Sequence, residues 1–234
     1  MTLFLPSTCA ACGGRFHLND RDRSESGRAL LCRGCRSSLR RQFAAFRCSI
    51  CGIPLTEFVE KCDRCRRRPF PFQSHLSAAE HEGTAARVIH AYKFGGFPQL
   101  ACVMAAMMAL TMPESWRSLP LVPVPSARRA WRKRGFSPAP LLCAKLSRLT
   151  GQTVMRLLRT RNGRAQKTLA HDDRLVNALA RLTLATGAKG RPVPASAVLV
   201  DDVFTTGATA SAATNILRSS GVRAVYVLTF AMEY

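Results

Sequence analysis

The sequence predicts an α/β protein with a parallel sheet, preceded by a small cysteine-rich domain. Two observations lead to this fold class. Eight of the ten cysteines form four CxxC pairs between Cys9 and Cys65. From residue 74 onwards, short apolar stretches alternate with stretches of helical period, which is typical of parallel α/β sheets. With 234 residues, of which 47% are hydrophobic, the chain is long enough for one or two domains with a buried core.

The net charge is strongly positive and unevenly distributed. The chain carries +21 in total, and residues 116–191 alone hold 17 basic and 2 acidic side chains. Residues 1–72 hold 14 basic and 6 acidic side chains, whereas the rest of the chain is slightly acidic. A concentrated positive field attracts polyanions such as pyrophosphate or nucleic acid. The alternative is an arginine-rich surface that is only solvated, and composition alone does not separate the two.

The sequence shows no targeting or membrane signal. Residues 1–8 lack the basic start and the apolar core of a signal peptide. The uncharged run 94–112 contains Gly95, Gly96 and Pro98, which leaves too short an apolar stretch to cross a bilayer. We therefore expect a cytoplasmic protein without membrane insertion.

The four CxxC pairs predict two structural zinc sites. Each CxxC turn lets two thiolates point at one centre, and two turns complete a tetrahedral Cys₄ site. The simplest interpretation is two consecutive zinc ribbons, but an interleaved arrangement, first pair with third and second with fourth, also fits the spacing. Four thiolates leave no open coordination position, so we expect the metal to be structural. The predicted ligands are Cys9, Cys12, Cys32, Cys35, Cys48, Cys51, Cys62 and Cys65.

A basic segment with two prolines follows the last cysteine pair. Residues 66–71 hold three consecutive arginines and then Pro69 and Pro71, which indicates a linker. We therefore predict a double zinc ribbon in residues 1–71 and a second domain in residues 72–234. In this second domain the pattern predicts a strand and its turn at 74–82, a helix at 84–93 and an apolar helix that reaches about residue 110.

A short apolar strand is predicted at 121–125, followed by a basic loop. Its cationic side chains are Arg128, Arg129, Arg132, Lys133 and Arg134. A cationic loop just beyond a strand end suits a pyrophosphate leaving group, because the negative charge of pyrophosphate rises as its bond to a sugar breaks. Arginine forks also match phosphate oxygens in pairs. A basic surface run without a ligand is the alternative.

A segment without periodicity follows a predicted helix at 140–149 and a predicted strand at 153–158. Residues 159–171 are rich in Arg, Lys, Asn and Gly, as expected of a mobile loop that covers a phosphate ligand and excludes water. A short helix at 172–179 and a loop at 187–194 are predicted to come next. The residues that we assign to the flexible loop are Arg159, Arg164, Gln166, Lys167 and Arg174.

The stretch 197–209, AVLVDDVFTTGAT, carries the strongest functional motif. Because the carboxyl ends of parallel strands face the ligand crevice, we expect Asp201 and Asp202 where a substrate binds. The following turn would offer backbone N–H groups, hydroxyls and the positive end of a helix dipole, which together suit a phosphate. Carboxylates beside a phosphate cradle indicate a sugar phosphate, although an ordinary strand and helix N-cap would also explain the pattern. The turn comprises Thr205, Thr206, Gly207, Ala208 and Thr209, and a helix at 210–219 and a strand at 222–230 are predicted beyond it.

This stretch resembles the 5-phosphoribosyl 1-pyrophosphate (PRPP) motif of type I phosphoribosyltransferases, in which an apolar strand leads to paired acids and a Thr-Thr-Gly-x-Thr loop. Over nearly its whole length the chain is similar to the competence protein F (ComF) family. The residues that carry this similarity are the four CxxC pairs, Lys93-Phe94, the VPVP strand with its arginines, Arg134-Gly135-Phe136, the spacing of Arg159, Gln166, Leu169, Arg174 and Asn177, and the stretch 201–209.

The resemblance implies a double zinc ribbon followed by a type I phosphoribosyltransferase-like domain. It also implies a cytoplasmic role in natural transformation, in which the protein handles incoming single-stranded DNA and has a pocket for PRPP and Mg²⁺. One departure from the family pattern concerns the ligand contacts. Family members usually follow Arg-Gly-Phe with Asn-Gln, whereas Ser137 and Pro138 stand here. Two amide side chains that could orient a ligand are therefore missing, but Pro138 fits the first turn of a helix.

Two functions are compatible with these patterns, and we favour DNA handling with a PRPP pocket over an active phosphoribosyltransferase. In the enzyme hypothesis, Asp201 and Asp202 hold the ribose hydroxyls and the Mg²⁺ neighbourhood, the loop grips the 5-phosphate, and Arg128 and Arg134 receive pyrophosphate; no motif identifies the acceptor. In the DNA hypothesis, the basic segment forms a groove in which charge dominates over stacking. The residues that we assign to DNA binding are Arg129, Trp131, Arg132 and Lys133 of this segment, together with Lys93. A weaker third interpretation is an adaptor for a DNA-uptake helicase or a recombination protein.

Overall fold

The computed structural model describes residues 7–17, 30–39, 46–160, 182–185 and 193–234. Its centre is a four-stranded parallel sheet, and a cysteine-rich region that resembles zinc ribbons lies N-terminal to the sheet. The strands are β1 (Ser7–Thr8), β2 (Arg15–Phe16), β3 (Ser74–Glu80), β4 (Leu121–Pro123), β5 (Leu158–Thr160), β6 (Leu182–Leu184), β7 (Ser196–Phe204) and β8 (Ala224–Met232). The α-helices are α1 (Arg33–Leu39), α2 (Asp63–Arg67), α3 (Gly83–Phe94), α4 (Ala101–Thr111), α5 (Arg128–Arg134), α6 (Pro138–Thr150) and α7 (Ala208–Ser219).

The cysteine-rich region contains two units of the same design. We call residues 7–17 with 30–39 the first ribbon and residues 46–65 the second ribbon. In each, one CxxC pair lies in a tight turn that ends in a glycine with positive φ, and the other lies at the start of a short helix. Gly13 and Gly52 both have a φ of 73°, a conformation that glycine adopts without steric cost. The repeated geometry brings two pairs of thiols together in each unit.

The central sheet has the strand order β3-β8-β7-β4, and every neighbouring pair is parallel. The two inner strands, β7 and β8, are nine residues long and consist mainly of buried apolar side chains. Continuous apolar runs are expected of parallel strands that are covered on both faces. All four carboxyl ends therefore lie at one edge, with the acidic residues of β7 among them.

Helices cover both faces of this sheet. On one face, Val198 and Val200 of β7 belong to a core that includes residues of α3, α4 and α6. On the other face, Ala197 and Leu199 pack with Ala213 and Leu217 of α7. The alternation along β7 thus sends consecutive side chains into two separate cores, as strand geometry requires.

The predicted parallel α/β sheet and the N-terminal zinc-ribbon-like region are confirmed, but two local predictions are wrong. The basic segment after Pro125 is not a loop, since Arg128–Arg134 forms the helix α5, which ends at Gly135 in the left-handed conformation. The strand predicted at 153–158 is reduced to a single bridge between Val154 and Leu121. The regular strand β5 begins only at Leu158 and pairs antiparallel with β6, outside the parallel sheet.

Three further predictions lie partly or wholly outside the described residues, and of the mobile loop predicted at 159–171 only residues 159 and 160 are described. The helix predicted at 172–179 is another of these predictions, and the loop predicted at 187–194 is described only for its last two residues. The division of the chain between residues 71 and 72 stays a prediction. Among the described residues, no helix combines the length and apolar character that a membrane crossing requires.

We expect Tyr92→Phe to destabilise the protein because the Tyr92 hydroxyl ties α3 to the start of α6. Tyr92 is completely buried, and its hydroxyl donates a hydrogen bond of 2.9 Å to the carbonyl oxygen of Pro138. Removing the donor leaves a buried carbonyl without that partner, which costs about 1–2 kcal/mol of unfolding free energy. Urea denaturation followed by circular dichroism measures the change.

Tyr226→Phe is the matched control for this substitution. The Tyr226 ring packs on Trp116 at 4.9 Å, and its hydroxyl has no hydrogen-bond partner in the part of the chain that the structure describes. Equal midpoints for the two variants would contradict the role assigned to the Tyr92 hydroxyl.

Candidate functional site

Two clusters of four cysteines form the candidate metal sites. Cys9, Cys12, Cys32 and Cys35 form the first, and Cys48, Cys51, Cys62 and Cys65 the second. Within each cluster all sulfur atoms lie within 4.8 Å of one another. The Sγ atoms of Cys12 and Cys32 are 3.9 Å apart, and those of Cys51 and Cys62 are 3.7 Å apart. A tetrahedral zinc ion with Zn–S bonds of about 2.3 Å needs sulfurs about 3.8 Å apart, so both donor sets fit zinc.

The grouping confirms the consecutive arrangement of ribbons and excludes the interleaved one. Backbone amides also point at the sulfurs: Cys32 N–H donates to Cys9 Sγ at 3.4 Å, and Cys62 N–H donates to Cys48 Sγ at the same distance. Burial alone would raise the pKa of Cys9 and of Cys48, but these backbone hydrogen bonds bring both pKa values down to about 7. In each cluster the pKa of one thiol is thus lowered towards the thiolate form that binds zinc, whereas burial raises the pKa of Cys35 in the first cluster and of Cys51 and Cys65 in the second.

A second candidate site lies at the carboxyl end of β7. Residues 205–209, which we call the phosphate loop, connect this strand to α7. Gly207 has a φ of 76° and serves as the N-cap of α7, and the Thr206 hydroxyl accepts a hydrogen bond of 3.3 Å from the Ala208 N–H. Asp201 and all loop residues except Thr206 line one small hollow of about 20 Å³. The predicted order of strand, acids, turn and helix is therefore present.

Asp201 is a carboxyl group without a cationic partner within hydrogen-bond distance among the described residues. Its Oδ1 accepts a hydrogen bond of 2.9 Å from the backbone N–H of Asp202. Burial, and then the negative charge of Asp202, raise the pKa of Asp201 to about 8, although Lys93 acts in the opposite direction. Asp201 is therefore largely protonated at neutral pH until a cation or a hydrogen-bond donor joins it.

Asp202 lies in different surroundings from Asp201. Its side chain does not line the hollow, and its Oδ1 forms a salt bridge of 2.8 Å with Nζ of Lys93 in the last turn of α3. Both side chains of this pair are largely buried. The sequence pattern predicts a DNA-binding role for Lys93. It does not predict this salt bridge, because no local pattern links α3 to β7. The structure places Lys93 beside the acids.

The helix α5 carries several basic residues on an exposed surface. Trp131, Arg132 and Lys133 are exposed, and the guanidinium of Arg134 lies 5.6 Å from the ring centre of Phe94. Phe94 directly follows Lys93, so this contact brings the end of α5 close to the acids of β7. Only the backbone of Arg128 and Arg129 is described.

A larger hollow of about 520 Å³ lies beside α5. Its lining includes Pro123 and Pro125 at the end of β4, the rings of Trp131 and Phe136, and Arg156. Because β4 pairs with β7, this hollow and the phosphate loop open at neighbouring strand ends. Sequence reasoning missed Arg156, which lies between the two predicted basic segments without a motif of its own.

Of the residues that we assign to the flexible loop, one is described by the structure and four are not. Arg159 lies in β5, where its Nε donates to the Leu184 carbonyl at 3.3 Å. Arg164, Gln166, Lys167 and Arg174 lie outside the described residues. Ser137 is the N-cap of α6 and donates from its hydroxyl to that of Ser126 at 3.1 Å, and Pro138 occupies the first turn of α6 as predicted.

Known proteins match both parts of the chain. Residues 1–66 match the family described as the double zinc ribbon domain. The DNA utilization protein YhgH of Escherichia coli is 33% identical over 189 residues, which cover 77% of this chain and 81% of the relative. Competence protein F of Haemophilus influenzae is 27% identical over 97% of both chains. Competence protein ComFC of Bacillus subtilis is 25% identical over 82% of this chain and 79% of the relative. The two cysteine sites, the α/β sheet and these similarities together show that the chain belongs to the competence protein F (ComF) family.

Proposed function

We propose that this protein handles single-stranded DNA in the cytoplasm during DNA uptake, and that the carboxyl end of β7 binds PRPP with Mg²⁺. The names of its relatives, DNA utilization and competence proteins, support the process. One observation carries the ligand site: Asp201 and the phosphate loop line the same hollow at the carboxyl end of a parallel sheet. Open α/β sheets bind ligands at this edge. The second domain is accordingly of the type I phosphoribosyltransferase kind.

The phosphate loop supplies the features that a 5-phosphate requires. Gly207 turns the chain so that α7 begins directly behind the loop, and the positive end of this 12-residue helix points at the turn. Thr205 and Thr206 are exposed residues of this loop. The hollow of about 20 Å³ accommodates little more than one water molecule. In the proposed complex the phosphate therefore lies against the turn and its backbone N–H groups, and the sugar extends along the open rim.

Asp201 is the residue that fits Mg²⁺ best. Magnesium prefers carboxylate oxygens and retains several of its waters, so one protein carboxylate at an open rim suits it. Asp201 has no cationic side chain bound to it among the described residues, whereas Asp202 is already paired with Lys93. Bound Mg²⁺ supplies charge neutralisation of the pyrophosphate oxygens. The protein's own contribution is to keep Asp201 at the rim and Lys93 behind it.

The exposed side of α5 is the best candidate for the DNA interface. Arg132 and Lys133 are solvent-exposed cations, and Trp131 offers an aromatic ring that is 47% exposed. Cationic side chains neutralise phosphates, and an exposed ring stacks on bases without regard to sequence. The hollow of about 520 Å³ continues this surface towards Arg156. Its lining is mainly apolar and aromatic, with Arg156 and two serines as polar groups, and this suits an unstacked nucleotide better than a duplex.

The second candidate function is an active phosphoribosyltransferase that acts on an acceptor of unknown identity. The larger hollow favours it, because a cavity of about 520 Å³ beside the β4 and β7 ends is large enough for a planar base. Trp131 and Phe136 line it. Release of pyrophosphate from PRPP in the presence of a panel of bases and amines distinguishes this function from binding alone.

We expect PRPP with Mg²⁺ to raise the melting temperature of the protein and Asp201→Ala to abolish most of this effect. A ligand that binds only the folded chain at 100 times its Kd stabilises it by about 2.7 kcal/mol. Differential scanning fluorimetry gives the shift. Glu114→Ala is the control, because it removes an exposed carboxylate whose partner is Arg117. An unchanged melting temperature of the wild-type protein would remove the proposed pocket.

We expect Asp201→Asn to stabilise the ligand-free protein increasingly as the pH rises. The pKa of Asp201 is raised from 3.8 to about 8 in the folded chain, so between these values the folded state binds more protons than the unfolded state. Stability therefore falls as the pH increases through this range, and the asparagine variant does not share this loss. The difference in melting temperature between variant and wild type should grow from about pH 4 to about pH 8 and level off above it. A difference that is constant across this range would contradict the raised pKa.

We expect the double variant Arg132→Ala, Lys133→Ala to bind single-stranded DNA more weakly and with less salt dependence. Each lost phosphate contact lowers the slope of log K against log salt by about 0.7 for single strands, so two contacts lower it by about 1.4. Fluorescence anisotropy with a labelled oligonucleotide at several salt concentrations measures the slope. Arg223→Ala is the control, because Arg223 is exposed at the opposite, amino end of β8. An unchanged slope in the double variant would place the DNA elsewhere.

A further inference from the structure

The second ribbon contacts the phosphate loop directly. Arg64 lies on α2 between the zinc ligands Cys62 and Cys65, and its Nη2 donates a hydrogen bond of 2.7 Å to the Thr206 carbonyl. The guanidinium also lies 4.9 Å from the ring centre of Phe70, which limits its positions. A residue inside a metal-binding pair therefore holds the backbone of the loop that we assign to a phosphate.

Phe70 forms a second contact between the two sites. A Cβ atom at Gly207 would lie 2.6 Å from Cε1 of Phe70 and 2.8 Å from Cζ of Phe204, so the glycine backbone and these rings are in close contact. Phe70 stacks on Phe72 with ring centres 4.8 Å apart, and it also packs against the apolar residues of the second ribbon. The position of the loop glycine thus depends on rings that the ribbon supports.

His75 of β3 forms the third contact. Its Nδ1 donates to the Cys51 carbonyl at 2.7 Å, and its Nε2 lies 2.9 Å from Oγ1 of Thr229, which lines the hollow together with Asp201. The imidazole also stacks on Phe204 at 4.0 Å. His75 is completely buried, so these contacts are shielded from water. His75 thus connects the turn that contains Cys51, the end of β7 and the wall of the hollow.

The first ribbon has a different neighbour. Its helix α1 packs on α3, where the Thr84 hydroxyl donates to that of Ser38 at 3.3 Å. Leu31 and Leu39 of the first ribbon join the core on the α3 side of the sheet, whereas Ile50 and Ile53 of the second pack against the core on the α7 side. The contacts described above therefore link the second metal site, and not the first, to the phosphate loop, and the first serves as an internal control.

We propose that zinc in the second ribbon and a sugar phosphate at the phosphate loop stabilise each other's binding, with Arg64 as the positioning residue that links them. The inference rests on the proposed sugar-phosphate site. Small zinc sites are folded largely by their metal, so loss of zinc frees α2 and removes the Arg64 hydrogen bond and the support of Phe70. The loop then loses the contacts that fix its carbonyl and its glycine. Coupling between two binding sites is reciprocal, so the ligand must also retain the metal.

The test is zinc release from the full-length protein into a chromogenic chelator, with and without saturating ribose 5-phosphate. We expect one of the two zinc ions to leave at least about fivefold more slowly in the presence of the sugar phosphate, and the other to leave at an unchanged rate. Mass spectrometry of cysteines alkylated after partial release identifies the retained ion, which we expect on Cys48, Cys51, Cys62 and Cys65. Arg64→Ala should still bind two zinc ions, but its release rates should no longer respond to ribose 5-phosphate.

Arg66→Ala is the matched control, since Arg66 lies on the same short helix and pairs with Asp63 instead of the loop. It should retain the full slowing, and Arg64→Lys should retain only part of it because an ammonium lacks the planar fork. If ribose 5-phosphate raises the melting temperature of the wild type but leaves both release rates unchanged, the coupling is wrong and the ligand site stands. If neither ribose 5-phosphate nor PRPP binds the wild type, the ligand site and the coupling both fall. Equal slowing in wild type and Arg64→Ala overturns the role of Arg64.

Discussion

Burial of β7 on both faces is the constraint on which the rest of the structure depends. Val198 and Leu199 pack into different cores, so helices or loops must cover both sides of the strand along its length. A strand in this position cannot carry charge in its interior without large desolvation costs. Asp201 and Asp202 are tolerated because they lie near the carboxyl end, where the cover changes from helix to loop. The polar chemistry of the protein is therefore confined to one edge of the sheet.

Adjacent residues of a strand point to opposite faces, and this rule separates the two acids. Lys93 compensates Asp202 on the α3 side, whereas Asp201 on the α7 side faces the phosphate loop with one backbone N–H as its partner. The two carboxyl groups thus have different roles despite their adjacency. Asp202 with Lys93 is a closed ion pair that anchors the end of α3 to the sheet. Asp201 is the group whose raised pKa lets it keep a proton at neutral pH until a cation or a hydroxyl donor joins it.

Features with local signals were predictable from the sequence, and features that depend on distant contacts were not. The cysteine spacing predicted all eight ligands, although it left their pairing open, and the apolar run before Asp201 predicted β7 and its turn. The helix α5 was missed because its sequence, RRAWRKR, has no apolar period, although arginine, lysine and alanine favour helices and Gly135 ends one well. The Lys93–Asp202 pair joins elements that are far apart along the chain, so no pattern within either segment predicts it.

The arginine and proline segment between the ribbons and the sheet shows the limit of composition as a guide to structure. Its charges indicate solvent exposure, and Arg66 and Arg67 are exposed as expected. Phe70 and Phe72, however, are packed in the joint between the second ribbon and β7, so the segment is a contact surface as well as a connection. A zinc ion in a closed four-cysteine site has no coordination position for chemistry. The zinc ion therefore contributes by stabilising the structure of the second ribbon, which includes residues packed against the phosphate loop.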